Sequence, residues 1–473
     1  LQTLAESFSR AGVPVFMADV KGDLAGISRP GDPNGKLNEP FQKRAAQIGI
    51  ELEYEGYPVT FWDVWGERGH PVRTTPSEMG PLLLSRLMGL SDVQEGVLNI
   101  AFRVADEQGL ALLDMKDLQS MLIWIGENAK DLSLRYGNVS TASVGAIQRS
   151  LMVLENEGGD RLFGEPALEL SDIMRLDASG RGMVNILSAE KLMNSPRLYA
   201  TFLLWLMSEL FEQLPEVGDP DKPRIAFFFD EAHLLFDDAP PALIAKIEQV
   251  ARLIRSKGVS LWFISQNPAD LPEAVLGQLG NRVQHALRAF TAKDQKALRM
   301  AAQNYRANPA FDTGEAVTSL LEAKGVPGIV QRTLVRPPSA QLGPISDDER
   351  ASMNAASPMA LKYGKTLDRE SAAEILARRT EAAAQESAAA EAKGGAKGGD
   401  ADLWSMDREH NRARRYDPRI QIPDDPQPRS RTSRSSSTDS IVEAFGKSFA
   451  RQLGTKSGQA LVRGVLGSLF RGK

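Results

Sequence analysis

Five consecutive apolar residues, Ile225-Ala226-Phe227-Phe228-Phe229, run directly into two carboxylates, Asp230 and Glu231. The run is too short for a typical helix and reads as a buried strand of an α/β fold. A strand of that kind delivers its last residues to the carboxyl edge of the sheet, where open α/β sheets bind ligands. Two acids at that point suit phosphate chemistry: the first carboxylate can hold Mg²⁺ beside the β and γ phosphates of a nucleotide, and the second can polarise an attacking water. The competing reading is a strand ending in a solvated acidic turn, and the neighbouring segments decide between the two.

A second apolar strand at 259–264 ends in Ser265-Gln266-Asn267-Pro268. Alone this is a good turn. Beside Asp230 and Glu231, the amide of Gln266 is placed to hydrogen-bond both a γ-phosphate and the catalytic water. Arg252 and Arg255 lie between the two strands, and Arg282 opens the next one after Gly280-Asn281. One arginine reaching a neighbouring subunit's γ-phosphate would stabilise transition-state charge. The sequence does not choose among the three, each of which also suits an ordinary salt bridge; Arg282 is the least ordinary of them. Near the start, the strand 13–18 is followed by Asp19-Val20-Lys21-Gly22-Asp23, so Asp19 and Lys21 are candidates to order phosphates or water, with a mixed-charge turn as the alternative.

A phosphate cradle needs G-x-x-x-x-G-K-[ST] between a strand and a helix. Gly364-Lys365-Thr366 and Gly446-Lys447-Ser448 fail this test, because Met359 and Ile441 stand where the first glycine belongs and neither follows a buried strand. The chain opens at Leu1 inside a helical pattern, with Leu1, Leu4, Ala5 and Phe8 on one face, and the expectation is a fragment that starts just after such a loop. Asp230-Glu231-Ala232-His233 also spells the box of DEAH-type helicases, but the second glycine- and arginine-rich motif of those proteins is missing, so His233 reads as a helix-start residue beside the site.

Strand patterns at 13–18, 58–64, 183–187, 224–229, 259–264 and 282–289 alternate with helical ones, which predicts an α/β fold with a mostly parallel sheet. Residues 75–176 break that rhythm with several helical segments and read as an α-helical insertion. The expected organisation is a first part of the core at 1–74, the insertion at 75–176, a second part of the core at 177–345, a helical then low-complexity linker at 346–438, and a carboxyl-terminal amphipathic helix at 439–473. In that last stretch Ile441, Phe445, Phe449, Leu453, Leu461, Val465 and Leu469 fall mostly four apart, with Lys and Arg between them. The net charge of −5 requires any nucleic-acid contact to be local. The chain has no cysteine, so it has neither disulfides nor thiolate metal sites. The richest apolar stretch, 203–214, is interrupted by Ser208, Glu209, Glu212 and Gln213 and reads as a buried helix rather than a membrane span. These features point to a cytoplasmic protein without membrane insertion.

The sequence resembles the HerA/FtsK-like P-loop ATPases, in particular the YjgR-like bacterial branch. The likeness rests on Leu1-Gln2-Thr3-Leu4-Ala5-Glu6 leading into Val15-Phe16-Met17-Ala18-Asp19-Val20-Lys21-Gly22-Asp23-Leu24, on Phe228-Phe229-Asp230-Glu231-Ala232-His233-Leu234-Leu235-Phe236, on Ser265-Gln266-Asn267-Pro268, and on Leu461-Val462-Arg463-Gly464-Val465-Leu466-Gly467. It covers nearly the whole chain. The resemblance implies a RecA-like core, ATP and Mg²⁺ as ligands, a homo-oligomeric, hexameric ring, and translocation of DNA or another polymer as the wider theme. It also implies that the phosphate-binding loop lies immediately before the segment that opens this chain. Two functional classes stay open: a helicase-like motor ATPase, and a nucleotide-dependent switch or scaffold that grips a protein partner through its insertion and tail.

Overall fold

A computed structural model describes residues 1–218, 220–236, 241–267, 270–285, 315–322 and 328–394. The part of the linker beyond residue 394 and the amphipathic segment 439–473 lie outside the described residues. The core is a six-stranded sheet built from β1 (Val15–Asp19), β2 (Val59–Asp63), β3 (His70–Pro71), β4 (Val184–Ser188), β5 (Ile225–Phe229) and β6 (Val259–Phe263), in the order β3-β2-β4-β1-β5-β6. Every pairing in it is parallel. β1, β4 and β5 are buried along their whole length, which is why β1 and β5 read as near-continuous apolar runs rather than as alternating ones, while β4 buries Asn185 within it.

The register stacks aromatic rings across neighbouring strands. Phe16 pairs with Phe227, their centroids 4.7 Å apart, and Phe229 pairs with Phe263 at 5.3 Å. Phe228, with the opposite side-chain direction, stacks on Trp262 and meets the edge of Phe8 from the opening helix Gln2–Arg10. Burial of each ring contributes about 1.5–3 kcal/mol, so this aromatic ladder is a major fixing element of the sheet's centre. The chain places β2 and β4 on one side of β1 and then crosses to β5 on the other, which puts a topological switch point at the carboxyl ends of β1 and β5.

The opening helix buries more than its apolar stripe. Ala5 joins the core cluster with Val15, Met17, Phe228 and Ile345, while Gln2, Glu6 and Ser9 are buried as well. The helix Pro196–Gln213 buries twelve of its eighteen residues, so it is enclosed on all sides, as its near-continuous apolar sequence requires. Between β3 and β4 lie the helices Pro76–Leu87, Asp92–Gln108, Met115–Glu127, Ala129–Tyr136 and Thr141–Leu154. Thr75 with Glu78, Ser91 with Gln94 and Asp114 with Asp117 form reciprocal capping boxes that start three of them. Leu118, Leu122, Ile125, Ile147 and Leu151 form their shared apolar interior.

Two expectations are corrected. The strand read at 282–289 is β7 (Arg282–His285), and it belongs to a separate antiparallel sheet of order β7-β8-β9 with β8 (Glu315–Ser319) and β9 (Gln331–Leu334). Its residues alternate between half-buried and exposed, the pattern of a strand covered on one face only, whereas a central parallel strand is covered on both. The sixth place in the parallel sheet goes to the two-residue β3, too short to carry a periodic signal. The packed structure also continues past residue 345. Residues 336–345 return across the opening helix, and the helices Asp347–Ala356 and Met359–Tyr363 follow. Tyr363 is fully buried, edge-on to Trp62 at 5.2 Å, and its hydroxyl donates to Asp172 at 2.6 Å. A lone aromatic in a polar stretch gives no pattern from which to read this.

The aromatic ladder predicts that Phe227→Ala lowers stability by about 3–5 kcal/mol, the cost of a large core cavity, read as a shift of the urea midpoint at unchanged slope. A shift below about 1 kcal/mol would contradict the packing described.

Candidate functional site

β5 delivers Asp230 to the carboxyl rim beside the end of β1, since Met17 pairs with Phe228 and two residues further stand Asp19, the last of β1, and Asp230, the first after β5. The backbone then turns sharply. Glu231 has φ 48 and ψ 46, and among the described residues it is the only non-glycine residue with positive φ. Such a left-handed conformation costs roughly 1–2 kcal/mol outside glycine. It is held by ladder bonds just past the strand ends, Ile264 N–H to Phe229 O at 2.9 Å and Ala232 N–H to Ile264 O at 2.8 Å. A strained backbone of this kind at a strand tip is a pointer to function, because the surrounding structure must enforce it.

The turn buries the Glu231 side chain and points it at β6. Gln266 Nε2 donates to both carboxylate oxygens of Glu231, at 2.9 and 3.1 Å, and Nδ1 of His233 lies 3.4 Å from Oε2. Gln266 and Glu231, read together in the sequence as candidates, are in direct contact. Asp230 has a different environment. Its Oδ1 accepts the Glu231 N–H at 3.0 Å, and its backbone carbonyl accepts the hydroxyl of Tyr199 at 2.9 Å. Tyr199, fully buried on the helix Pro196–Gln213, is a site residue that the sequence does not reveal, because it sits in an apolar helix without motif or spacing. Burial, and then the charges of Asp230 and Glu231, push its phenol well above the ordinary value.

Burial raises the Asp230 carboxyl above its usual 3.8, and the charges of Glu231 and Asp19 act in the same direction; the Glu231 N–H and the positive charge of Lys21 oppose them. Asp19, Lys21 and Asp230 thus share one electrostatic neighbourhood. Asp19 has a structural task there: Oδ1 accepts the N–H groups of Gly22 and Asp23 at 2.7 and 3.1 Å, and Oδ2 accepts that of Leu24 at 3.1 Å. Burial raises its carboxyl, and the three N–H groups counteract the rise. Lys21, on the loop that Asp19 organises, is exposed.

Arg282 belongs to the antiparallel sheet and makes no hydrogen bond to Asp230, Glu231 or Gln266. Arg252 and Arg255 are exposed.

The donor set fits a magnesium ion better than a metal caged by protein. Among the described residues no three Asp, Glu, His or Cys side chains converge on one point. Mg²⁺ is commonly bound through one or two carboxylates, with waters and substrate phosphates completing its shell. Among the described residues nothing donates a hydrogen bond to Asp230 Oδ2, while both oxygens of Asp19 are taken by backbone N–H groups. Asp230 is the carboxylate free to serve.

A parallel α/β sheet carrying this acid pair and amide at its carboxyl rim defines a class of nucleotide-site architecture. The family model for the helicase HerA-like C-terminal region matches residues 1–473, and the chain belongs to that family. Among solved structures, the chain is similar to the unbound bacterial conjugative coupling protein TrwBdeltaN70, with 13% identity over 70% of this chain and 73% of that one at a TM-score of 0.41. It is also similar to VirB4 of Thermoanaerobacter pseudethanolicus, with 18% identity over 72% and 85% at 0.42, and to plasmid coupling protein TrwB in complex with ADP and Mg²⁺, with 12% identity over 72% and 84% at 0.42. No curated protein matches the chain.

The raised Asp230 carboxyl sets a pH dependence. On acidification it takes up its proton at a higher pH than a surface aspartate, so Mn²⁺ affinity of the full-length protein with ADP, followed by electron paramagnetic resonance, is expected to fall at a pH above 3.8. Lys21→Ala removes an opposing positive charge and moves the loss to still higher pH. A midpoint at or below the ordinary aspartate value would rule out Asp230 as the ligand.

Proposed function

We propose that this chain forms the hydrolytic part of an ATP-driven motor of the HerA-like family, with Asp230 as the magnesium ligand and Glu231 as the residue that polarises the attacking water. The observation that carries the reading is the contrast within the acid pair: Asp230 keeps an oxygen free at the rim, while Glu231 is turned aside by a strained backbone into the grip of Gln266. When bound, Mg²⁺ neutralises charge developing on the phosphates. Tyr199 and the Glu231 N–H fix the direction of Asp230. Glu231, buried and restrained, has few rotamers to lose on meeting a water, and a positioned base of this kind accelerates proton transfer by about 10²–10⁴-fold. Gln266 is the candidate reporter of a γ-phosphate, because the amide that now donates to Glu231 has the same hydrogen-bonding capacity for a phosphate oxygen.

The motor reading extends to a homo-oligomeric ring acting on DNA, with an arginine such as Arg282 supplied to the neighbouring site. Arg282 lies on the antiparallel sheet and makes no hydrogen bond to Asp230, Glu231 or Gln266, which supports a role in trans. Among the described residues no helix is long and apolar enough to cross a membrane.

In the full-length protein, Glu231→Gln is expected to retain ATP while slowing hydrolysis by about 10²-fold or more. Unchanged turnover would remove Glu231 from the mechanism. Polynucleotide is expected to stimulate turnover of the wild type, with stimulation falling steeply as salt rises because phosphate contacts release counterions. Absent stimulation together with a stoichiometric protein partner would favour the switch or scaffold instead.

A further inference from the structure

Residues 336–356 form a strap that engages two sides of the proposed site. Glu6, fully buried on the opening helix, accepts Arg336 Nη2 at 2.7 Å, Ser339 N–H at 2.9 Å and Ala340 N–H at 3.1 Å, and Gln2 donates to Gln341 O at 3.1 Å. Backbone bonds from Gly26 to Gly343 O and from Gln341 to Arg29 O fasten the strap to the segment after the Asp19 loop. Ser346 then caps the helix Asp347–Ala356, which carries Arg350 inward.

Arg350 is only 3% exposed. Its guanidinium carbon lies 4.5 Å over the Phe61 ring, and Nη1 donates to Ser188 Oγ at 3.3 Å, at the carboxyl end of β4. Its Nε and Nη2 are buried without a hydrogen-bond partner among the described residues. A guanidinium does not shed its charge, so burial at this level needs opposite charge close by. The carboxylates that act on it are Asp19, Glu190 and Asp347, with Arg68 the opposing cation.

Those acids shape one loop. Asp19 gathers the N–H groups of residues 22–24, and the Ala189 N–H donates to Asp19 O at 3.0 Å, tying the loop's root to the residue after Ser188. Glu190, paired with Arg68, lies so close to Gly22 that a Cβ there would stand 1.7 Å from its Oε1, and Gly22 has φ +74. Only glycine suits both demands. The residue presented by this loop is Lys21, whose charge is felt at Asp230.

We infer that Arg350 is a positioning residue: bonded to Ser188, which pairs with Asp19 across β4 and β1, and attracted by the charges of Asp19 and Glu190, it steadies the root of the 20–24 loop that carries Lys21, whose charge acts on Asp230, and makes the strap a working part of the site. The inference rests on the reading of Asp230 as the magnesium ligand for its consequence in turnover, but the restraint on the loop is measurable without it.

The test uses the full-length protein and endoproteinase Lys-C, which cuts after Lys21, with the helical Lys130 of the insertion as an internal reference. Arg350→Met is expected to speed cleavage after Lys21 by about tenfold, the scale of one charge-assisted contact, and to leave Lys130 unchanged. Glu190→Gln, at a more exposed position, gives a smaller change of the same kind, and Arg350→Lys restores slow cleavage. In turnover, Arg350→Met raises the Mg²⁺ concentration needed for half-maximal rate. Unchanged cleavage after Lys21, or an equal rise at Lys130, overturns the inference. A released loop with an unchanged Mg²⁺ requirement also overturns the positioning role, while leaving the metal assignment of Asp230 intact. If the wild type hydrolyses no ATP, the proposed function fails, and the cleavage rates alone decide whether Arg350 holds the loop.

Discussion

Parallel pairing between β1 and β5 is the constraint from which the rest follows, because it is the contact that sets two carboxylates side by side at one edge of the sheet. Every residue in the two strands is buried, so their register is fixed by ring stacking and apolar contact on both faces rather than by one. A slip by a single residue would drive Phe228 to the face now held by Phe227 and withdraw Asp230 from the rim. The aromatic content of β5 and β6 therefore specifies more than stability: it specifies where the acids emerge.

From that point the structure separates the duties of similar groups. Asp19 and Asp230 end adjacent strands and both titrate above the ordinary aspartate value because of burial. Asp19 spends its oxygens on three N–H groups of its own loop and so organises backbone, whereas Asp230 uses only Oδ1 among the described residues, for the Glu231 N–H. Glu231, one residue on, is removed from its neighbour by a left-handed backbone angle instead of by distance along the chain. Three carboxylates in one corner would repel one another if all faced the same way; here their directions are made different by hydrogen bonds.

How much of this was legible depends on whether a residue belongs to a pattern. β5 announces itself as an unbroken apolar run and β6 as one broken only by Ser260, and Gln266 stands out because it follows β6 in a chain that also carries the acid pair after β5. Tyr199 was invisible, since a tyrosine in an apolar helix carries no signal of which carbonyl its hydroxyl will reach. The same holds for β3, whose two residues have no period, and for β7, whose partners are fixed by residues more than thirty positions away. Arg350 and Tyr363 lie in a polar stretch where composition argues for a linker, and only tertiary contact turns them into buried groups. The left-handed angle at Glu231 is likewise a product of strand ends, since nothing in the side chain favours it.

One feature of the sheet has a spectroscopic consequence. Trp262 stacks on Phe228, meets Phe8 of the opening helix edge-on, and stands four residues before Gln266 on the same segment. Its indole is partly open to solvent, so its emission is sensitive to small displacements between that helix and β6. The molecule thereby carries, among its six tryptophans, a native optical probe on the boundary between its opening helix and the strand that leads to Gln266, and relative motion there can be followed without any label.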